Sequence, residues 1–171
     1  MKISKDNMLY FSYGSNLNVA QMKKRCPAAR KLCSASLGGA ELGFLGGVAT
    51  IFPEQGSATL GVEGGLWLIT PECLKALDKY EGYPRLYDRG IVEVVDENGH
   101  ARRAITYWIV KKGMKVDPIG ASYLNSIVQG YKDFGIRLDG LKETLLCVGA
   151  SERSINSWFQ AWEREGEKVN G

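Results

Sequence analysis

The sequence predicts an α+β fold: a small mixed sheet closed toward a barrel, with helices packed around it. Three observations carry this. Residues 8–13 (Met-Leu-Tyr-Phe-Ser-Tyr) are strand-prone and run into a glycine. Residues 30–69 are short apolar runs interrupted by Gly38-Gly39, Gly43, Gly46-Gly47, Gly56, Gly61 and Gly64-Gly65. That texture suits several strands of a strongly bent sheet, where glycine permits bulges and close backbone approach. Helical periodicity then follows Thr70, Pro118 and Glu152.

The elements follow in order. After the first strand, Gly14-Ser15-Asn16 makes a strand-to-helix loop. Asn18 opens a short helix, with Gln21 placed as in a capping box and Pro27 beyond the end. Thr70-Pro71-Glu72 starts the next helix, with threonine as N-cap and proline in the first turn. It runs to Tyr80 or Glu81, where Gly82 suits a helix stop. Residues 87–95 alternate as a strand, turn at Asn98-Gly99 and return over 102–110 as a hairpin. A helix is predicted from Pro118 to Phe134, with Tyr123, Leu124, Ile127, Val128 and Tyr131 at helical spacing and Gly135 after it. A last amphipathic helix over residues 152–165 buries Ile155, Trp158, Phe159 and Trp162. No repeat, linker or low-complexity tract divides the 171 residues, which read as one domain.

Composition narrows the function. Net charge is +3, and the basic pairs Lys23-Lys24, Arg102-Arg103 and Lys111-Lys112 are scattered. Nucleic-acid binding needs a concentrated basic stripe with aromatic platforms, so no nucleic-acid partner is expected. Cys26, Cys33, Cys73 and Cys147 lack the spacing of a zinc knuckle, and His100 is the single histidine. The N-terminus has no apolar signal core and no stretch reaches the length of a membrane span, so a cytoplasmic protein with reduced thiols is expected. His100 follows the Asn98-Gly99 turn, a poor place for a histidine that must be oriented by a third group. Proton transfer therefore falls to carboxylates, tyrosines or lysines. The glycine-rich stretch 38–47 lacks both the P-loop ending and the dinucleotide fingerprint, and reads as sheet.

Two positions could carry chemistry. With Leu74 set at zero and about 100° per residue, Glu81 falls near about −20°, in the middle of the apolar helix face. It also ends its helix, where the macrodipole disfavours negative charge. Burial and dipole both push its pKa upward, toward what a general base near neutral pH requires. The competing reading is a carboxylate paired with Arg85 or Arg89. The loop Tyr13-Gly14-Ser15-Asn16-Leu17 is the second position. Free N–H groups at a helix start can hold a carboxylate or an oxyanion. An ordinary capped turn is the competing reading there.

Tyr13-Gly14-Ser15-Asn16-Leu17 after an opening strand, Gly46-Gly47-Val48-Ala49-Thr50-Ile51-Phe52, Gly61-Val62 and Leu77-Asp78-Lys79-Tyr80-Glu81-Gly82 together resemble the γ-glutamylcyclotransferase family. Tyr123 and Gly130-Tyr131-Lys132-Asp133-Phe134-Gly135 resemble that family's last core helix and its glycine stop. The resemblance covers about residues 8–146 and leaves the C-terminal helix unmatched; core cover or a homodimer contact is the reading for that helix. It implies a γ-glutamylcyclotransferase-like barrel with a cavity at one end. The implied reaction is attack of a γ-glutamyl α-amine on its own γ-carbonyl, releasing 5-oxoproline and an amino acid or amine. It further implies Glu81 as the catalytic carboxylate, Tyr13, Gly14, Ser15, Asn16 and Leu17 as the substrate loop, and Tyr87 as a pocket tyrosine. The segment from Glu81 to Tyr87 is slightly shorter than in some members. No metal and no organic cofactor are implied. A γ-glutamyl amine or protected metabolite as substrate, or a non-catalytic member binding a small ligand, are the alternatives.

Overall fold

The structure, a computed structural model, describes residues 6–53, 61–117, 119–151, 153–157 and 159–160. Gly56, Pro118, Trp158 and Trp162 lie outside the described residues.

Among the described residues the elements run β1 (Met8–Ser12), α1 (Val19–Arg25), β2 (Arg30–Leu37), β3 (Ala40–Leu45), β4 (Val48–Pro53), β5 (Val62–Ile69), α2 (Pro71–Glu81), β6 (Tyr87–Asp96), β7 (Ala101–Ile109), α3 (Ala121–Phe134) and α4 (Asp139–Cys147). A 3-10 turn (Ser15–Leu17) joins β1 to α1. Strands β1-β5-β2-β6-β7 close into a barrel, and β3 pairs with β4 as a separate hairpin. Every barrel pairing is antiparallel except the closing one, where β1 runs parallel to β7 at Tyr10 and Ile105. The sheet is thus mixed and closed, as the glycine texture of residues 30–69 suggested. A register shift in β2 between Lys31 and Ser34 supplies part of the bending.

Local signals place the helices. The Asn18 side chain accepts from the Gln21 N–H at 3.0 Å, and Thr70 Oγ1 accepts from the Cys73 N–H at 3.3 Å. Gly82 closes α2 in the left-handed region at φ 67°, its N–H turned back to the Asp78 and Lys79 carbonyls. At the hairpin tip, Asp96 accepts from the Asn98 and His100 N–H groups, and the His100 side chain is exposed. Helix α3 starts at Ala121 rather than at Pro118. Helix α4, which the sequence reading did not anticipate, has a weaker apolar pattern and buries only Leu141 and Leu145. Residues 153–157 and 159–160 are helical, with Ile155 and Phe159 buried.

The core is aromatic where α3 meets the barrel. Trp67 of β5 packs edge-to-face on Phe134 at 5.4 Å, and its indole N–H donates to Ser12 Oγ at 3.1 Å. Among the described residues no buried side-chain nitrogen or oxygen lacks a partner, and no helix is long and apolar enough to cross a membrane.

Candidate active site

Strand β1 delivers Tyr13 and Gly14 to one end of the barrel, where the chain tightens into the 3-10 turn. The Leu17 N–H donates to the Gly14 carbonyl at 3.0 Å and the Asn18 N–H to that of Ser15 at 3.1 Å. The Ser15 and Asn16 N–H groups open the turn, where backbone donors have no acceptor within the element. Leu17 is fully buried and packs against Gly130 of α3. It anchors the turn.

Opposite this loop, α2 ends at Glu81. The Asn16 amide nitrogen donates to Glu81 Oε1 at 2.7 Å and to the Tyr10 hydroxyl at 2.9 Å. Among the described hydrogen bonds none reaches Glu81 Oε2. The carboxylate and the loop share a cavity of about 130 Å³. Tyr13, Gly14, Ser15, Asn16, Glu81 and Tyr87 all line it, so six of the seven residues singled out in the sequence converge. The seventh, Leu17, is not among the lining residues: its side chain is spent on core packing and its N–H on the Gly14 carbonyl. Tyr131 is buried on α3 and lines a different cavity, with Glu63 and Ile136.

The remaining walls come from residues that the sequence did not rank: Tyr10, Val48, Ala49, Tyr80, Leu86 and Tyr107, with Tyr123 from α3. Strand alternation gave no reason to prefer these tyrosines over other buried aromatics. Ala49 holds Tyr123 and also Tyr87. Its carbonyl accepts from the Tyr87 hydroxyl at 2.6 Å, and its N–H donates to the Tyr123 hydroxyl at 3.1 Å. Gly14 suits this crowding: a Cβ there would sit 3.2 Å from Ala49 Cβ and 3.3 Å from the Tyr123 hydroxyl, so a neighbour would have to give way by a few tenths of an ångström.

Burial raises the Glu81 pKa from 4.5 to about 7, against the opposing effects of the Asn16 hydrogen bond and the Arg25 charge. Neither Arg85 nor Arg89 neutralises it. Arg89 is committed to Asp78, at 2.7 and 3.2 Å, and among the described ion pairs none includes Glu81. Desolvation pushes Tyr10, Tyr13, Tyr87 and Tyr107 well above their ordinary range, and Tyr123 to about 12. All stay protonated at neutral pH; Tyr13, Tyr87 and Tyr107 donate to the Tyr107 carbonyl, the Ala49 carbonyl and Asp78 Oδ1, while Tyr10 and Tyr123 accept from Asn16 and Ala49. The four cysteines are free, and burial raises the Cys26 thiol to about 12, so it is inert. The site therefore combines one proton acceptor of near-neutral pKa with a wall of neutral tyrosines.

The description of the Gamma-glutamyl cyclotransferase, AIG2-like family fits residues 10–124 of this chain. The chain belongs to that family. Every residue lining the Glu81 cavity falls within the matched segment. Gamma-glutamylcyclotransferase of Homo sapiens is 30% identical over 146 residues, which span 78% of this chain and 75% of that protein. The protein of the same name from Bos taurus is 29% identical over 150 residues, 81% and 77% of the two chains. A solved gamma-glutamyl cyclotransferase superposes with a TM-score of 0.72 at 26% identity, covering 85% of this chain and 90% of the other. An uncharacterized protein from Homo sapiens superposes with a TM-score of 0.73 at 27% identity, covering 86% and 91%. The γ-glutamyl cyclotransferase family thus accounts for the barrel.

Proposed function

We propose that this chain is itself a γ-glutamyl cyclotransferase, converting a γ-glutamyl compound into 5-oxoproline and a free amino acid or amine. The observation that carries this reading is the Glu81 carboxylate, buried at the end of α2 and facing the loop across a tyrosine-lined cavity.

The reaction joins two ends of one molecule. The substrate arrives as an α-ammonium, with a pKa of about 8, and must lose a proton before its nitrogen can attack. Glu81 takes that proton at Oε2 while Asn16 holds Oε1. From a base at about 7, the transfer is uphill by roughly 1.4 kcal/mol. An ordinary carboxylate, with a pKa of about 4.3, would face roughly 5 kcal/mol. The amine then bonds to the γ-carbonyl carbon, and negative charge gathers on the former carbonyl oxygen. The Ser15 and Asn16 N–H groups and the Tyr10 and Tyr123 hydroxyls, which accept from Asn16 and Ala49 and keep their own O–H, are the donors suited to that oxyanion or to the substrate carboxylate. As the carbon–nitrogen bond to the leaving group breaks, protonated Glu81 returns its proton to the departing nitrogen. The attacking nitrogen loses two protons in all and the departing one gains two, so a second passage through the same carboxylate balances the count. Nucleophile and electrophile share one molecule, so the cavity need only hold a near-attack shape. No step calls on a metal or cofactor.

The test is direct. Pure protein is incubated with a panel of γ-glutamyl amino acids, γ-glutamyl amines and γ-glutamyl peptides, and 5-oxoproline is measured. Release from at least one compound is expected, and the preferred compound names the leaving group. A folded protein that releases none from any of them rules the reading out.

A further inference from the structure

We propose that Arg25 is a positioning residue for the Glu81 carboxylate, acting through the side-chain amide of Asn16. Its kinetic consequence rests on the cyclotransferase reading above; its geometry does not.

Arg25 ends α1, and its guanidinium reaches across to the loop and to α2. Nη1 donates to Asn16 Oδ1 at 2.6 Å, and Nη2 donates to Gln21 Oε1 and to the Tyr80 hydroxyl, both at 2.7 Å. The guanidinium carbon also lies 3.8 Å from the Tyr80 ring centroid. A guanidinium has only donors, so the Asn16 atom facing it must be the oxygen. An ionised carboxylate has only acceptors, so the atom facing Glu81 must be the nitrogen. The two contacts demand the same amide orientation and enforce each other. A flipped amide would set oxygen against carboxylate and NH₂ against guanidinium, at a residue only 3% exposed, where water cannot repair the loss. Arg25 also grips Tyr80, the neighbour of Glu81 on α2, so one cation fixes both the amide and the helix end that bears the base.

Electrostatics point the same way. The titratable groups facing Glu81 from β1, β6, β7, α3 and the loop are Tyr10, Tyr87, Tyr107, Tyr123 and Tyr13, all neutral. Arg25 is the cation among the described residues that lowers the carboxylate's pKa against burial. An arginine that merely clamped α1 to α2 would affect stability and leave kcat per folded molecule alone.

Arg25→Met and Arg25→Lys in the full chain separate the two roles. Carboxyl NMR reads the Glu81 titration in ligand-free protein, alongside Tm, kcat and KM for 5-oxoproline release. Arg25→Met is expected to raise the Glu81 midpoint by about 0.5–1 unit. Its kcat should fall about tenfold with KM within about threefold. Arg25→Lys retains the charge but not the fork; it should keep the midpoint near the wild-type value and recover part of kcat. A folded Arg25→Met protein with an unmoved midpoint and normal kcat overturns the proposal. If that variant does not fold, Arg25→Lys decides: a kcat reduced at unchanged KM and Tm supports positioning, and an unchanged kcat overturns it. A wild-type protein that releases no 5-oxoproline sinks the function reading alone, because the NMR arm still reports on Arg25.

Discussion

Asn16 and Glu81, 65 residues apart in the chain, meet at 2.7 Å. That bond joins the turn after the first strand to the last residue of α2, and it leaves Oε2 as the carboxylate oxygen with no described hydrogen bond. Each outcome below depends on that pairing or on what surrounds it.

Glu81→Gln keeps volume and shape and can still accept from Asn16, but it cannot take a proton. Turnover should fall by roughly 10² to 10⁴, the usual contribution of a positioned general base. Substrate should still bind, which isothermal titration on the variant measures. Near-wild-type turnover in a folded Glu81→Gln protein would remove the base from the mechanism.

The pH dependence of stability has a definite sign. Burial raises the Glu81 pKa from 4.5 to about 7, so the fold prefers the protonated acid. That contribution is complete below the unfolded value and is lost as pH rises through about 7. Relative to Glu81→Gln, the wild type should lose roughly 3 kcal/mol across this window. Urea midpoints of both proteins at pH 4.5 and pH 8 check this; parallel midpoints would mean that Glu81 titrates normally.

Activity should carry the same titration in the opposite direction. The base form of Glu81 accumulates above about 7, so kcat/KM should climb about tenfold per unit below that point and then level off. An initial-rate profile from pH 5 to 8 reads it, and a limb centred near 4.5 would contradict the burial argument.

Leu17→Ala tests which role Leu17 plays in the loop. The side chain is fully buried against α3, so its truncation should cost about 2–5 kcal/mol. Activity per folded molecule should stay within about threefold, since Leu17 does not line the cavity. A stable variant with lost activity would return Leu17 to the substrate.

Gly14→Ala should do the reverse. The added methyl meets Ala49 and the Tyr123 hydroxyl at 3.2 and 3.3 Å inside the cavity. A drop in kcat/KM of roughly tenfold to a hundredfold with little change in Tm is expected; paired thermal melts and kinetics decide.

Much of the scaffold was legible residue by residue. Asn18, Thr70 and Gly82 mark helix ends through hydrogen bonds and a left-handed φ that are made within a few residues, so local sequence is enough to find them. The apolar stripe of α2 put Glu81 on the inner face for the same reason. Helix α4 escaped because two buried leucines make a thin stripe, and nothing local distinguishes a buried anchor such as Leu17 from a ligand contact.

By itself, then, the sequence determined the bent glycine-rich sheet, the capped helices, and a carboxylate brought inside on a helix end. Those depend on propensity, periodicity and capping, all short-range effects. Only the tertiary structure decided which groups surround that carboxylate. Barrel closure at β1 and β7 brings Tyr10 to Tyr107, with ring centroids 5.9 Å apart. Packing of α1 on α2 delivers Arg25 to Asn16, and α3 swings Tyr123 onto Gly14. Those contacts join residues nine to more than a hundred positions apart. Their energy is realised only once the core has packed, so no window of sequence contains it.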